Sequence, residues 1–298
     1  MTPRQLGVLL LLSALWGGSF IFMRIAAPEL GPILLIELRV LVAGLLLLAY
    51  GFATRSLPPL GSHWRHYLVI GAINSALPFL LIATASLYLP ASVTATLNAT
   101  TPLFGALVAA AFLGESLTLR KVLGILLGIS GVAALVGLGP LPWTSNTFVA
   151  AGASLLAAVS YGAAAVYTKV KMKAGNPQAL STYSQLFAAA LLMPLTPFAL
   201  PGAAPGGLAI GSTIGLAVLC TAFAYLLYFY LIVNAGPTRA TLVTFLSPAF
   251  GMLWAAVLLK EPLGLAHVLG FGLILGSVGL VSGRPAAPAA KPEAAAET

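Results

Sequence analysis

Charged residues are scarce in this sequence. Asp, Glu, Lys and Arg make up only 7% of the 298 residues, while 60% of the residues are hydrophobic. Soluble domains carry roughly a quarter charged residues, because their surface has to be hydrated. A chain this poor in charge cannot cover a surface that faces water. The composition therefore excludes an ordinary soluble domain and predicts a membrane protein.

Aspartate is absent altogether, and so are the short motifs of several enzyme classes. The sequence contains neither H-E-x-x-H nor G-x-x-x-x-G-K-[ST], which argues against zinc proteolysis and a built-in ATPase, and the lack of aspartate argues against metal-bound diphosphate chemistry. Residues 128–131 match the G-x-S-G of intramembrane serine proteases, but His63, His66 and His267 lie in loops or at a span end, away from that serine. Small residues that let helices approach closely explain the stretch better. We predict no enzyme activity, no cofactor and no metal site.

Cysteine is almost absent too. Cys220 is the single cysteine of the chain, so an intrachain disulfide is excluded. It lies inside an apolar run, and we predict that it packs as a small hydrophobic residue.

Long apolar runs are what the sequence has in abundance. A helix needs about 20 residues to cross the hydrocarbon core of a bilayer, and such runs follow one another from Leu6 to Val281, separated by Pro- and Gly-rich breaks. The runs are continuous rather than alternating, which disfavours a β-barrel. We predict an all-α membrane protein with ten transmembrane helices over residues 6–27, 32–53, 66–88, 91–113, 117–138, 147–170, 178–200, 208–234, 237–259 and 263–283.

The basic residues and the chain ends predict the orientation in the membrane. The N-terminus begins like a signal peptide, but its apolar run continues to Ala27, so we interpret it as the first span. With the N-terminus inside, most Lys and Arg residues lie in inner loops and tails, and only Arg24 and Lys260 lie at outer ends. This asymmetry follows the positive-inside rule, places both termini in the cytoplasm and accounts for the net charge of +8 without a nucleic-acid partner. Residues 285–298 are rich in Ala, Pro and Glu and predict a disordered cytoplasmic tail.

The chain contains an internal duplication. FLGESLTLRKVLG at residues 112–124 resembles LLKEPLGLAHVLG at residues 258–270, and shifts of 145 or 146 residues align further positions, among them Trp16 with Tyr161, Pro102 with Pro248 and Gly105 with Gly251. Each copy spans five predicted helices. An odd number of spans forces the two copies to enter the membrane in opposite directions. We therefore predict two inverted five-helix repeats, residues 1–140 and 141–284, around a central cavity.

Glu115 and Glu261 occupy equivalent positions in the two copies. Each stands where a new helix is predicted to begin, followed by Ser116 or Pro262. We expect both carboxylates to accept hydrogen bonds from exposed N–H groups at that helix start and to stabilise its positive end.

Several of these features together resemble a known transporter family. They are the stretch ALWGGSF at residues 14–20, Leu38-Arg39, and the two glutamate-containing hairpins with their Gly-rich following helices. The chain is similar, over residues 6–283, to the EamA-type ten-helix branch of the drug/metabolite transporter superfamily, and within it most similar to bacterial amino-acid exporters of the YddG type. The resemblance implies a multi-pass protein of the bacterial inner membrane that exports small amino-acid-like metabolites, aromatic or neutral amino acids among them, by alternating access.

A substrate site is expected near mid-membrane, where the repeat axis passes. Trp16 and Tyr161 lie halfway through spans one and six, so two large aromatics can face one cavity from opposite halves; the alternative is ordinary packing. Pro102 and Pro248 each deprive the carbonyl four residues earlier of its helical partner, which creates a kink and a free acceptor unless a local Thr hydroxyl satisfies it. The candidate substrate-binding residues are Trp16, Ser19, Arg39, Asn74, Phe79, Asn98, Thr101, Tyr161, Tyr225, Tyr228 and Thr244.

Glu37 and Arg39 are formal charges that lie well inside a predicted span rather than at its ends. Ionisable residues at membrane depth are expensive and are functional candidates for that reason. Two residues apart, they point to different sides of a helix and are not expected to pair. Arg39 can hold a substrate carboxylate or organise helix ends, and Glu37 can extend its carboxylate to the surface.

Aromatic faces with a few polar groups and little fixed charge suit a zwitterionic solute. Three alternatives stay open at this point: an exporter of another metabolite class, an exporter of lipophilic cationic drugs, and a membrane binding or sensory protein that transports nothing. The expected partners are a small-molecule substrate and the lipid bilayer; the sequence leaves the oligomeric state open and is compatible with a monomer.

Overall fold

The structure is a computed structural model that describes residues 1–138, 144–172 and 175–282. Throughout these ranges the chain forms helices joined by turns, with no strand, so the predicted all-α class is confirmed there. The predicted boundary between the two repeats, after residue 140, and the predicted tail, residues 285–298, lie outside the described residues.

The main helices follow the predicted spans closely. We number them in chain order as α1 (Pro3–Leu30), α2 (Pro32–Ala53), α3 (Trp64–Ala85), α4 (Ala91–Leu113), α5 (Leu119–Gly137), α6 (Ser145–Lys171), α7 (Pro177–Leu192), α8 (Gly207–Ala235), α9 (Val243–Leu258) and α10 (Leu265–Ser282). Among the described residues, seven of these are long and apolar enough to cross a membrane, and α9 and α10 are shorter apolar helices. Helix α7 continues into a 3₁₀ turn, Met193–Phe198. The count of ten spans stays a prediction.

Helices α3 and α8 each contain one π-helical segment. The segments are Gly71–Ala76 and Val218–Phe223, so they begin 147 residues apart. A π turn disturbs the regular i→i−4 ladder and leaves carbonyls for other donors. The Ser160 hydroxyl of α6 donates to the Ile73 carbonyl at 2.6 Å, and the Thr221 hydroxyl donates to the Leu216 carbonyl at 2.8 Å. Hydroxyl groups thus satisfy a carbonyl in or beside each irregular turn.

Helix α4 is broken at Ala99 and Thr100, just before Pro102. Proline has no N–H, so the Asn98 carbonyl loses its helical partner, as predicted. The Thr101 hydroxyl donates to that carbonyl at 2.8 Å, which is the local solution named above as the alternative to a free acceptor. Pro248 lies inside the continuous helix α9, and the irregular turn falls before that helix, after the short helix Pro237–Ala240.

Helices α5 and α10 pack together through glycines. A Cβ added at Gly131 would lie 2.9 Å from the Gly270 carbonyl oxygen, and one added at Gly124 would lie 3.0 Å from the Ser277 carbonyl oxygen. Backbones approach this closely only where side chains are absent. The interpretation of residues 128–131 as a close-packing stretch is therefore confirmed.

The two equivalent glutamates bind different partners. Glu261 accepts hydrogen bonds at the N-terminus of α4, from the backbone N–H of Ala91 at 2.8 Å and from the backbone N–H and hydroxyl of Ser92 at 3.0 and 2.6 Å. Glu115 forms exposed ion pairs with Lys169 at 3.3 Å and Lys121 at 3.4 Å. The prediction that each glutamate caps the helix following it is wrong, because a loop carboxylate binds whichever helix end lies beside it in space.

The ion pairs of Glu115 change the pKa of its carboxyl group. The hydrogen bonds from Lys169 and Lys121 hold the pKa of the Glu115 carboxyl below its ordinary value. Helix α5 begins without help from this carboxylate, since the Thr118 hydroxyl accepts the hydrogen bond from the Lys121 backbone N–H at its start.

The hydrophobic core is divided along α1. The largest buried cluster joins the C-terminal half of α1 to the start of α2, the end of α3 and the start of α4, through residues such as Met23, Ile36, Ile82 and Ala91. These ends lie on the side predicted to be outer. A second cluster joins the N-terminal half of α1, through Leu12, to α8 and α9. Trp16 packs against this second cluster, so the middle of α1 lies between the two.

Candidate functional site

A cavity of about 340 Å³ lies at the level of the middle of α1, between α1, α2, α3, α4, α6, α8 and α9. Its size is at the lower end of the range of roughly 300–1,000 Å³ that is usual for small-molecule pockets. All the residues predicted as substrate contacts line this one cavity: Trp16, Ser19, Arg39, Asn74, Phe79, Asn98, Thr101, Tyr161, Tyr225, Tyr228 and Thr244.

Aromatic rings form two groups on the cavity wall. Trp16 lies with its ring centroid 5.4 Å from that of Tyr228 and 6.4 Å from that of Tyr225, the latter in an edge-to-face arrangement. Phe79 and Tyr161 form the second group, with centroids 6.3 Å apart and also edge-to-face. Offset and edge-to-face pairs of this kind stabilise one another. Trp16 and Tyr161 therefore border the same space from the two halves of the chain.

Arg39 is the charged residue on the wall. Its side chain is 5% exposed and its guanidinium carbon lies 3.5 Å from the centroid of the Phe79 ring, a cation–π arrangement. Its Nε donates to the Thr221 hydroxyl at 3.0 Å, and its Nη1 contacts the Met23 sulfur at 3.8 Å. The ion pairs within the described parts of the chain both belong to Glu115, so no carboxylate there pairs with Arg39.

Glu37 lies apart from the cavity. It is 5% exposed, so the expectation that its carboxylate reaches the surface is wrong. Its Oε2 atom has no hydrogen-bond partner among the described residues. The expectation that Glu37 and Arg39 do not pair is confirmed, because the two positions face different neighbours around α2.

Asn98 carries a side-chain amide whose oxygen has no hydrogen-bond partner among the described residues. It lines the cavity at the break in α4, and its Oδ1 atom is buried without a hydrogen-bond partner in the described structure. Its backbone carbonyl is already occupied by the Thr101 hydroxyl. Buried amide oxygens are almost always hydrogen-bonded in folded proteins, so this side chain can still take up a donor.

A polar group behind the aromatic wall holds Tyr225 in place. Gln185 of α7 is fully buried, and its Nε2 donates to the Ser75 hydroxyl at 2.9 Å and to the Tyr225 hydroxyl at 3.4 Å. Gln185 was not among the predicted site residues. It does not line the cavity, and sequence spacing along α7 carries no sign that it contacts α3 and α8.

Beyond the eleven predicted contacts, the cavity wall contains eight further residues: Phe20, Met23, Ile82, Ala165, Cys220, Thr221, Thr241 and Ser247. A signal for one of them was present, because the 146-residue shift aligns Ser247 with Thr101, and both precede a proline. Cys220 is buried, as predicted, and in addition borders the cavity.

On the side predicted to be outer, hydrogen bonds as well as the core join the ends of the helices. Arg24 of α1 donates from Nη1 to the carbonyls of Ser86 and Leu87, at 2.6 and 3.1 Å, at the C-terminal end of α3. Glu261 binds the start of α4 at Ala91, which follows Ser86 by five residues. A cation at a helix C-terminus and an anion at a helix N-terminus each oppose the charge of the helix end. Together they fix the connection between α3 and α4.

Comparison with known proteins places this architecture among transporters. Residues 5–137 and 149–283 match the EamA-like transporter family. An uncharacterized transporter of Archaeoglobus fulgidus is 30% identical over 264 residues, 85% of this chain and 89% of that protein. The uncharacterized inner membrane transporter YedA of Escherichia coli K12 is 30% identical over 281 residues, 93% and 90% of the two chains. Protein PecM of Dickeya dadantii is 27% identical over 274 residues, 89% and 88%.

A solved crystal structure shares the fold. It superposes with a TM-score of 0.67 at 18% sequence identity, covering 95% of this chain and 97% of the other. At this identity the likeness concerns the fold alone.

Proposed function

Because the chain belongs to the EamA-like transporter family, we propose that it is a secondary transporter that exports small amino-acid-like solutes, neutral and aromatic amino acids among them, through the central cavity. The family makes it a membrane transporter. The solute class is the further step, and the composition of the cavity wall supports it.

The observation that carries the solute class is the chemistry of that wall. It combines aromatic rings, neutral hydroxyl and amide groups, and one cation without a carboxylate partner in the described chain. Aromatic rings bury an apolar side chain, and the polar groups fix its orientation. Arg39 offers a counter-charge for one carboxylate. An amino acid with an apolar side chain uses all of these features at once.

Other solute classes fit this wall less well. A lipophilic cation would place a second positive charge beside the buried guanidinium of Arg39, and like charges repel strongly where water is excluded. A sugar would leave the guanidinium of Arg39 without a counter-ion. A sensory protein has no evident need for two similar halves around a cavity, although this last argument is one of analogy.

Alternating access is supported by the correspondence between the two halves. The π segments of α3 and α8 begin 147 residues apart, and Trp16 and Tyr161, which align at a shift of 145, both border the cavity. Two inverted repeats that can each adopt the other's conformation give inward-open and outward-open states of similar energy. One chain surrounds the cavity, so we propose a monomer as the transporting unit.

We propose the bacterial inner membrane as its location, with both termini in the cytoplasm. YedA is an inner membrane transporter by name, and the positions of the basic residues support this orientation. In this orientation, the helix ends bound by Arg24 and Glu261 face outward.

Uptake into proteoliposomes tests the solute class. Purified protein is reconstituted and challenged with labelled L-phenylalanine, L-threonine, glucose and tetraphenylphosphonium, with protein-free liposomes as the control. We expect saturable uptake of the amino acids and competition between them. Saturable uptake of the sugar or the cation, with none of either amino acid, contradicts the solute class and leaves the family assignment intact.

A further inference from the structure

We propose that Arg39 and Asn98 divide the recognition of the solute between them: Arg39 pairs with its carboxylate, and the Asn98 side-chain amide accepts a hydrogen bond from its ammonium group. This proposal rests on the proposed function and assigns the parts of the solute to residues. It identifies the substrate class as α-amino acids with apolar side chains, distinguished from plain carboxylic acids and from plain amines.

The geometry of Arg39 leaves one edge of the guanidinium for a ligand. Arginine has five N–H donors. Nε is bound to Thr221, and one donor of Nη1 contacts the Met23 sulfur, a weak acceptor. Within the described chain the N–H groups of Nη2 have no acceptor, and the residue lines the cavity. A carboxylate can bind the edge formed by Nη1 and Nη2 through two parallel hydrogen bonds.

The orientation of this edge is fixed by two contacts. The Phe79 ring lies 3.5 Å below the guanidinium carbon and sets the plane of the group. Thr221, in the π segment of α8, sets its rotation: the Thr221 hydroxyl donates its proton to the Leu216 carbonyl just before that segment, so its oxygen is available to accept from Arg39 Nε. An arginine held in this way loses little further freedom when a carboxylate binds.

The charge of Arg39 needs compensation at this depth. It is 5% exposed, and in the described residues both ion pairs lie elsewhere, on Glu115. An unpaired charge in a region of low dielectric constant is costly, and a partner carboxylate recovers part of that cost. A solute carboxylate is therefore favoured at this position, whereas an ammonium group is repelled from it.

Asn98 supplies the complementary neutral acceptor. Its amide oxygen is buried and without a partner in the described structure, and the residue lines the same cavity as Arg39. Rotation of the amide group exchanges its oxygen and nitrogen, so the side chain can present its oxygen to the cavity. Asparagine is uncharged, so it can accept from an ammonium group without forming an ion pair with Arg39.

The third part of the solute, its apolar side chain, is expected to contact the aromatic rings of the cavity wall. Trp16, Tyr225 and Tyr228 form one contiguous aromatic group, and Arg39 stacks on the other group through Phe79. An apolar solute side chain gains most by covering the first group, since burial of apolar surface is favourable in proportion to area. The three assignments together make a three-point site.

The test uses three solutes that differ by one group each. L-phenylalanine carries both charged groups, 3-phenylpropanoate lacks the ammonium group, and phenethylamine lacks the carboxylate. Each is measured as a competitor of labelled L-phenylalanine exchange in proteoliposomes. For the wild-type protein we expect L-phenylalanine to compete best, 3-phenylpropanoate next and phenethylamine least.

The variants separate the two assignments. Asn98→Ala should weaken competition by L-phenylalanine at least about tenfold while leaving that by 3-phenylpropanoate unchanged, because only the former loses a charge-assisted hydrogen bond. Arg39→Gln should weaken both acids by at least about tenfold and leave phenethylamine unchanged or improved. Arg39→Lys keeps the charge without the planar fork, so it should weaken the acids less than Arg39→Gln does.

The controls are an exposed asparagine and an exposed arginine away from the cavity. Asn234→Ala and Arg65→Gln should reproduce the wild-type order of the three solutes. If wild-type liposomes exchange no amino acid, the proposed function fails. If they exchange L-phenylalanine but Asn98→Ala does not weaken competition by L-phenylalanine more than that by 3-phenylpropanoate, or Arg39→Gln leaves competition by both acids unchanged, the assignment of Arg39 and Asn98 is overturned while the proposed function stands.

Discussion

Gly17 of α1 lies directly against Gly251 of α9. A Cβ added at Gly17 would lie 2.7 Å from the Gly251 backbone nitrogen and 2.7 Å from the Ser247 carbonyl oxygen. The aligned pair in the other half has the same relationship: a Cβ added at Gly162 of α6 would lie 2.6 Å from the backbone nitrogen of Gly105 in α4. The two crossings join the halves on either side of the cavity, next to Trp16 and Tyr161.

Replacing Gly17 by alanine should therefore destabilise the protein. The atoms that the new methyl group would meet belong to the backbone, which cannot rotate away, so we expect a loss of about 1–3 kcal/mol and a lower melting temperature in detergent. Gly18→Ala is the matched control, because the nearest atom to a Cβ there is Trp254 Cδ1 at 4.0 Å. Equal melting temperatures for the two variants would show that the α1–α9 crossing is not as tight as described.

Glu261→Gln should destabilise the protein more than Glu115→Gln. Glu261 accepts three hydrogen bonds from Ala91 and Ser92, and the amide nitrogen of glutamine would face donors, so we expect a cost of about 1–3 kcal/mol. Glu115 forms exposed ion pairs with two lysines, which are worth at most about 1 kcal/mol. Melting temperatures of the two variants in the same detergent measure the difference. The reverse order would mean that Glu261 does not hold the start of α4.

Pro102→Ala and Pro248→Ala should lower transport without preventing membrane insertion. Alanine at position 102 restores an N–H that can donate to the Asn98 carbonyl, in competition with the Thr101 hydroxyl, and so straightens α4 beside the cavity. The same substitution in α9 supplies an N–H four residues after Thr244, whose carbonyl lacks its helical partner because Pro248 has no N–H. Initial rates of uptake, normalised to the amount of reconstituted protein, measure the effect. Wild-type rates in the double variant would show that neither proline shapes the site.

The predicted orientation can be measured with single cysteines. In a Cys220→Ala background, a cysteine at Lys171 should react with a membrane-impermeant maleimide only in inside-out vesicles, and one at Ser145 only in intact spheroplasts. Both residues are exposed, at opposite ends of α6. Reaction of the Lys171 cysteine in spheroplasts would invert the proposed topology and place the helix ends bound by Arg24 and Glu261 on the cytoplasmic side.

The residues of the cavity wall could be predicted because the features that mark them can be read directly from the amino-acid sequence. The linear sequence shows mid-span aromatics such as Trp16, residues beside prolines such as Asn98, and the 145- or 146-residue shifts. All the residues chosen on these grounds border one cavity. The position of Arg39 within an apolar run likewise marks it as exceptional.

The partners of these residues could not be predicted in the same way. Arg39 binds Thr221, 182 residues away, and Glu261 binds Ser92, 169 residues away. Spacing along a helix gives the face on which a residue lies, but not which helix packs against that face. The π segments were missed for a related reason: an apolar run has the same appearance whether its turns are α or π, and the difference arises from packing and from hydroxyl groups on neighbouring helices.

Counterflow of L-phenylalanine tests the central claim most directly, because it requires a solute site that is reached from both sides in turn. Liposomes preloaded with unlabelled L-phenylalanine and diluted into labelled L-phenylalanine should accumulate label transiently above equilibrium with the wild-type protein and with Phe112→Ala, a change at an exposed lipid-facing ring. Trp16→Ala and Tyr161→Ala should abolish or strongly reduce the transient while each variant still unfolds cooperatively in detergent, at a somewhat lower temperature because each ring packs against its neighbours. Full counterflow in both cavity variants, or label that only equilibrates with the wild-type protein, would contradict transport through this cavity.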